Sequence, residues 1–139
     1  DKMDFILSRG IKLHGILESL DFNNPNLEEL DLDENDKTII NNVLSNDIFK
    51  NIKNGKSFHE HEFYFIKDDI EYHGIIDLLI EYDDRFAIID YKLYNTDKEE
   101  YKRQLEVYQK YLSLISDKKI EMYLLSLVKA ELKEVVLWI

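Results

Sequence analysis

Apolar residues stand three and four positions apart at the start of the chain: Phe5, Ile6, Ile11, Leu13, Ile16, Leu17 and Leu20. That spacing predicts an amphipathic helix over residues 3–20, interrupted or hinged near Gly10, with His14 inside it. A loop follows at residues 23–26, around the only proline, Pro25. Between residues 35 and 51 the runs TIINNVL and DIFKNI predict two short helices, with Asp36 and Asp47 as their N-caps, and Gly55 closes the block.

The period then drops to two. Over residues 57–66, Phe63 and Phe65 fall on one face of a strand and Glu60, Glu62 and Tyr64 on the other. Asp68-Asp69 reads as a turn, and strands follow over residues 70–81 and 85–93. Helical spacing returns with Tyr101, Leu105, Tyr108, Leu112 and Ile115, a helix that Asp97 is placed to cap. Two further strands are expected over residues 120–128 and 132–139. Helices, three strands, a helix and two strands make a single α/β domain over residues 1–139, with a mixed central sheet of about five strands flanked by helices.

Within residues 74–92, GIIDLLIEYDDRFAIIDYK, two apolar runs flank the polar turn Asp83-Asp84, and each run carries one aspartate where a core strand should be apolar. A turn centred between Asp83 and Asp84 places Asp77 opposite Asp90, so both carboxylates leave one face. Like charges directly opposite on a sheet are destabilising. A hairpin that keeps them implies a positive charge between them, either a divalent cation or a lysine. Side chains alternate along a strand, so Lys92 points the same way as Asp90 while Tyr91 enters the opposite layer. This set suits a hydrolytic metal site, because hard cations such as Mg²⁺ take oxygen ligands, lower the pKa of bound water and stabilise charge on a phosphoryl oxygen. The competing reading is a buried Asp90–Lys92 ion pair with Asp77 at a solvated edge; burying unpaired carboxylates is costly, which favours the metal.

Composition narrows the class. Hydrophobic residues at 45% and aromatics at 12% describe a globular chain rather than a disordered one. There is no cysteine, which excludes disulfides, thiolate zinc and iron–sulfur clusters and fits a reducing compartment. No apolar run approaches the ~20 residues of a membrane helix, so a soluble cytoplasmic domain without a membrane partner is expected. The first residue is Asp, not Met, from which a piece of a longer protein is expected. Net charge is −11, from 29 acidic against 18 basic residues. That runs against a nucleic-acid partner, whose binders usually present a basic footprint; a bound metal, or other domains of a longer protein, would offset it.

Gly74-Ile75-Ile76-Asp77, Asp90-Tyr91-Lys92 and Gln104-Leu105-Glu106-Val107-Tyr108 resemble the G-x-x-D, D-Y-K and Q-x-x-x-Y motifs of the PD-(D/E)xK nucleases, and within them the AddA/RecB-type nuclease domain of bacterial helicase–nucleases. Gly10-Ile11-Lys12-Leu13-His14-Gly15-Ile16-Leu17-Glu18 is similar to that family's helix bearing a metal-binding histidine, and Glu62 before Phe63-Tyr64-Phe65 to its glutamate before an apolar strand. The resemblance implies a restriction-endonuclease-like core and a metal-dependent DNA exonuclease acting in double-strand break repair by recombination. Its metal would be Mg²⁺, with Mn²⁺ able to substitute, held by His14, Asp77, Asp90 and the Tyr91 backbone carbonyl. Lys92 would position the attacking water. Gln104 and Tyr108, one helical turn apart, would support the site or contact DNA; Glu62 would join it, with Glu60 on the same face as the alternative. The implied partners are DNA, a helicase portion of the same polypeptide and a second helicase–nuclease subunit. Imidazole suits Mn²⁺ better than Mg²⁺. Other readings are a stand-alone restriction- or phage-type nuclease and an inactive nuclease-fold binding module.

Three weaker patterns are set aside. Gly55-Lys56-Ser57 imitates the end of a P-loop, but Lys50 stands where the leading glycine belongs. His59 and His61 fall on one strand face with no evident third zinc ligand. Asp31, Asp33 and Asn35 imitate a calcium loop whose sixth position is Asp36, not Gly, and whose twelfth is Asn42, not Glu.

Overall fold

The computed structural model describes residues 2–137. The first helix, α1 (Lys2–Ser19), runs through Gly10 without a break. The expected hinge is absent because a helical glycine costs only about 1 kcal/mol relative to alanine, and Leu13 and Leu17, both fully buried, seat the helix on the sheet. Helix α2 (Glu34–Leu44) is capped not by Asp36 but by Asp33, whose Oδ1 accepts the Asp36 N–H at 2.7 Å. Asp36 lies inside the first turn. The next helix, α3 (Asp47–Lys50), is a single turn preceded by Asn46 in the cap position, so Asp47 is its first helical residue rather than its cap.

Three antiparallel strands follow: β1 (Lys56–Lys67), β2 (Ile70–Glu81) and β3 (Arg85–Lys92). Asp68 and Asp69 both have positive φ, 53° and 64°, as a two-residue hairpin turn of the strand-compatible hand requires. Helix α4 (Glu99–Ile115) starts after Lys98; Asp97 stands outside it and pairs with Lys133 at 3.1 Å. The helix carries the chain to β4 (Lys119–Ser126), which lies parallel to β3, a pairing that needs such a crossover. Strand β5 (Glu131–Glu134) closes the sheet and stops short of the expected 132–139; residues 138 and 139 lie outside the described residues. Among the described residues the result is a mixed five-stranded sheet in sequence order, flanked by helices, the α/β arrangement expected of a restriction-endonuclease-like core.

Each face of the sheet has its own core. Leu13, Leu17, Ile40 and Val43 of the first helices pack on Leu78, Ile80, Ala87 and Ile89. On the other face Leu105, Tyr108 and Leu112 of α4 pack on Leu79, Phe86, Ile88 and Met122. Alternation on β1 and β2 inverts at one point. Ile76 joins the α4 layer although Leu78 and Ile80 face α1, and Phe63 and Phe65 join the α4 layer although His59 stacks on Phe22 in the other. Between them stand Glu60 and Asp77, missing from an otherwise continuous ladder, with Glu60 at φ 48°. A left-handed, non-glycine residue in a strand turns the following side chains over and is strained.

Candidate metal centre

The β2–β3 register is the one expected, Leu78 opposite Ile89, and pairing ends there. Asp77 and Asp90 therefore sit just past the last pair, where the two strands part. The Asp77 side chain takes over from the ladder: its Oδ2 accepts the Tyr91 N–H at 2.8 Å. Its Oδ1 lies 3.0 Å from Nε2 of His14, delivered by α1, and Oε1 of Glu60 lies 3.0 Å from the same nitrogen. His14, Glu60 and Asp77 thus offer three ligand atoms all within 4.8 Å of one another.

Asp90 and Lys92 leave β3 on the α4 side, and Tyr91 enters the α1 layer, its ring edge-on to His14 at 5.5 Å between centroids. Lys92 Nζ lies 2.8 Å from Asp90 Oδ2, donates to Gln104 Oε1 at 3.2 Å and stands 4.2 Å above the Tyr101 ring centroid. Carboxylate, amide and aromatic face hold one ammonium in place. Tyr108 donates its hydroxyl to the Ile75 carbonyl at 2.7 Å, tying α4 to β2 two residues before Asp77. Glu62, by contrast, pairs with His73 at 2.8 Å in an exposed position outside this cluster. Glu60 occupies the place beside His14. The inversion at Glu60 also separates His59 from His61: the first stacks on Phe22, the second bonds the Tyr111 hydroxyl at 3.0 Å in the α4 layer, so the two share no face.

Charge in the cluster is crowded. The Asp77 contact, aided by Glu60 and Asp90 and opposed by burial, raises the His14 pKa to about 9. Burial and the Asp77 charge push Asp90 up to about 7 against the pull of Lys92. Burial would raise Asp77 too, but His14, Asp90 and the Tyr91 N–H together hold it below the usual carboxylate range. Burial, then Asp77, raises Glu60. Three atoms here are buried without an aligned hydrogen bond, Nε2 of His14, Oδ2 of Asp90 and the Tyr91 hydroxyl, and the first two have only the ion-pair contacts described above. Carboxylate oxygens plus one imidazole, with three ligand atoms converging within 4.8 Å, fit a hard or borderline divalent cation.

The model of the PD-(D/E)XK nuclease superfamily matches residues 50–136, more than half of the chain. The chain belongs to this superfamily. Membership and the His/Glu/Asp group together support a metal-dependent nuclease that would act on DNA. No curated protein shows significant similarity to the chain. The PD-(D/E)XK segment contains Glu60, Asp77, Asp90, Lys92, Gln104 and Tyr108; His14 reaches the site from α1, upstream of it. Sequence reasoning did not single out Tyr101, although it stands three residues before Gln104 and so on the same helical face. Among the described residues no helix is long and apolar enough to cross a membrane.

Proposed function

We propose that this domain is a Mg²⁺-dependent DNA exonuclease, with Mn²⁺ able to substitute, and the nuclease portion of a longer AddA/RecB-type helicase–nuclease. In that setting it would process double-strand breaks for recombinational repair in the cytoplasm, with the helicase portion and a second subunit as partners. The observation that carries the reading is the meeting of His14 with Asp77 and Glu60 beside Asp90 and Lys92. A histidine brought from an upstream helix to this nuclease site is the feature that the AddA/RecB resemblance implies.

His14, Asp77, Asp90 and the Tyr91 carbonyl would hold the cation, joined by Glu60 in place of Glu62. Bound there, it would supply Lewis acidity for a phosphoryl oxygen and a lowered pKa for a ligated water. Lys92, fixed by Asp90, Gln104 and Tyr101, orients the attacking water from Nζ. Gln104 aims the ammonium and Tyr108 fixes the strand that carries Asp77.

Calorimetric titration of Mn²⁺ and Mg²⁺, run beside degradation of linear DNA, tests this. Wild type binds metal; Asp77→Asn and Asp90→Asn lose it; Lys92→Ala keeps fold and metal but loses cleavage by at least about a hundredfold. Cleavage retained by Lys92→Ala overturns its role. A wild-type domain that takes no metal overturns the nuclease reading in favour of a binding module.

A further inference from the structure

Asp36 is buried, 2% exposed, although it is charged and distant from the metal centre in sequence. Its carboxylate faces two cations of α1: Arg9 Nη2 at 3.3 Å on Oδ1 and Lys12 Nζ at 2.8 Å on Oδ2. The carboxylate is itself held in place. Asp33 caps α2 through the Asp36 N–H, and Asp36 sits in the first turn that this cap orders. A buried carboxylate engaged by two cations from a neighbouring helix is a fixed point between α1 and α2.

Helical geometry gives that fixed point its consequence. At about 100° per residue, Arg9 and Lys12 lie on one flank of the Leu13–Leu17 stripe that packs on the sheet, and His14 lies on the other. Apolar packing along a stripe restrains a helix axis better than it restrains roll about that axis, because dispersion is non-directional. Roll of α1 would move His14 on one flank as much as Lys12 on the other. Holding Arg9 and Lys12 therefore holds Nε2 of His14 where it meets Asp77 and Glu60 at 3.0 Å.

We infer that Asp36 is a positioning residue for the metal centre: through Arg9 and Lys12 it sets the roll of α1 and so aims His14. The inference rests on the metal-site reading for its functional meaning, but the aim of His14 can be read without metal. Supporting partners that orient a ligand histidine typically contribute 10- to 100-fold to metal affinity, and this device acts on the same coordinate from one helix further away.

The experiment compares wild type, Asp36→Asn, Asp36→Glu, Lys12→Gln, His14→Ala and the double variant Asp36→Asn/His14→Ala. Thermal melting confirms the fold of each. The His14 imidazole resonances of metal-free protein report its aim, and Mn²⁺ titration reports affinity. Asp36→Asn and Lys12→Gln should shift the His14 resonances, and Asp36→Asn should weaken Mn²⁺ about tenfold. Adding it to His14→Ala should cause no further loss, and Asp36→Glu should restore part of the affinity. Unchanged His14 resonances in both Asp36→Asn and Lys12→Gln overturn the inference, as does an Mn²⁺ loss of the same size with and without His14. If wild type takes no metal, the nuclease reading fails and the resonances alone decide the role of Asp36. Lys12, on the outer side of the contact, keeps the test usable if Asp36→Asn does not fold.

Discussion

Glu60 and Glu62 differ by two positions, and simple alternation gives them the same face. The left-handed backbone at Glu60 separates them: Glu60 stands 3.0 Å from His14, while Glu62 sits in the open against His73. Glu60→Gln should therefore weaken Mn²⁺ binding by at least about tenfold, the least effect of losing a group that only orients a ligand, and Glu62→Gln should leave it unchanged; calorimetry on the two variants checks this, and equal effects would refute the assignment. The strain falls at the candidate metal centre; non-glycine residues with positive φ cost of order 1–3 kcal/mol and cluster at active sites. At this scale Asp77, Asp90 and Lys92 were legible because charged residues inside apolar strands demand a chemical reason. Tyr101 was not, because an aromatic at helical spacing looks like any core residue; its contact with Lys92 depends on where α4 crosses the sheet.

The β2–β3 hairpin was readable as an element because a two-residue polar turn sets the register of everything paired behind it. Helix boundaries were less so. Asp33, Asp36, Asp47 and Asp97 all have a capping side chain, and only the backbone path selects among them. Gly74 shows how packing constrains the motif strand: a Cβ there would come within 2.6 Å of Phe63 Cζ and 3.4 Å of Tyr108 Cε1. Gly74→Ala should destabilise the domain by about 1–3 kcal/mol, the usual cost of overpacking, visible as a lower urea midpoint at unchanged slope. A neutral result would mean that Phe63 yields freely, against its stacking on Tyr111 at 4.5 Å.

For the molecule as a whole, charge opposes the proposed substrate. A chain of net charge −11 repels a phosphate backbone, so the isolated domain should bind linear DNA weakly, with a shallow salt dependence set by few released counterions. Fluorescence anisotropy across a potassium chloride series measures this; a steep slope would reveal a basic footprint that this chain does not advertise. Sequence alone determined the α/β class, the order of elements along the chain, the hairpin register and the Asp77, Asp90 and Lys92 set, because each follows from periodicity or from a turn acting over a few residues. Tertiary structure alone decided that Glu60 rather than Glu62 joins His14, that His59 and His61 part company, that Tyr101 stands against Lys92, and that Asp36 pairs with Arg9 and Lys12 of α1. Those outcomes depend on one inverted backbone angle and on how helices cross a sheet, distances closed by packing between segments far apart in the chain, which no local pattern encodes.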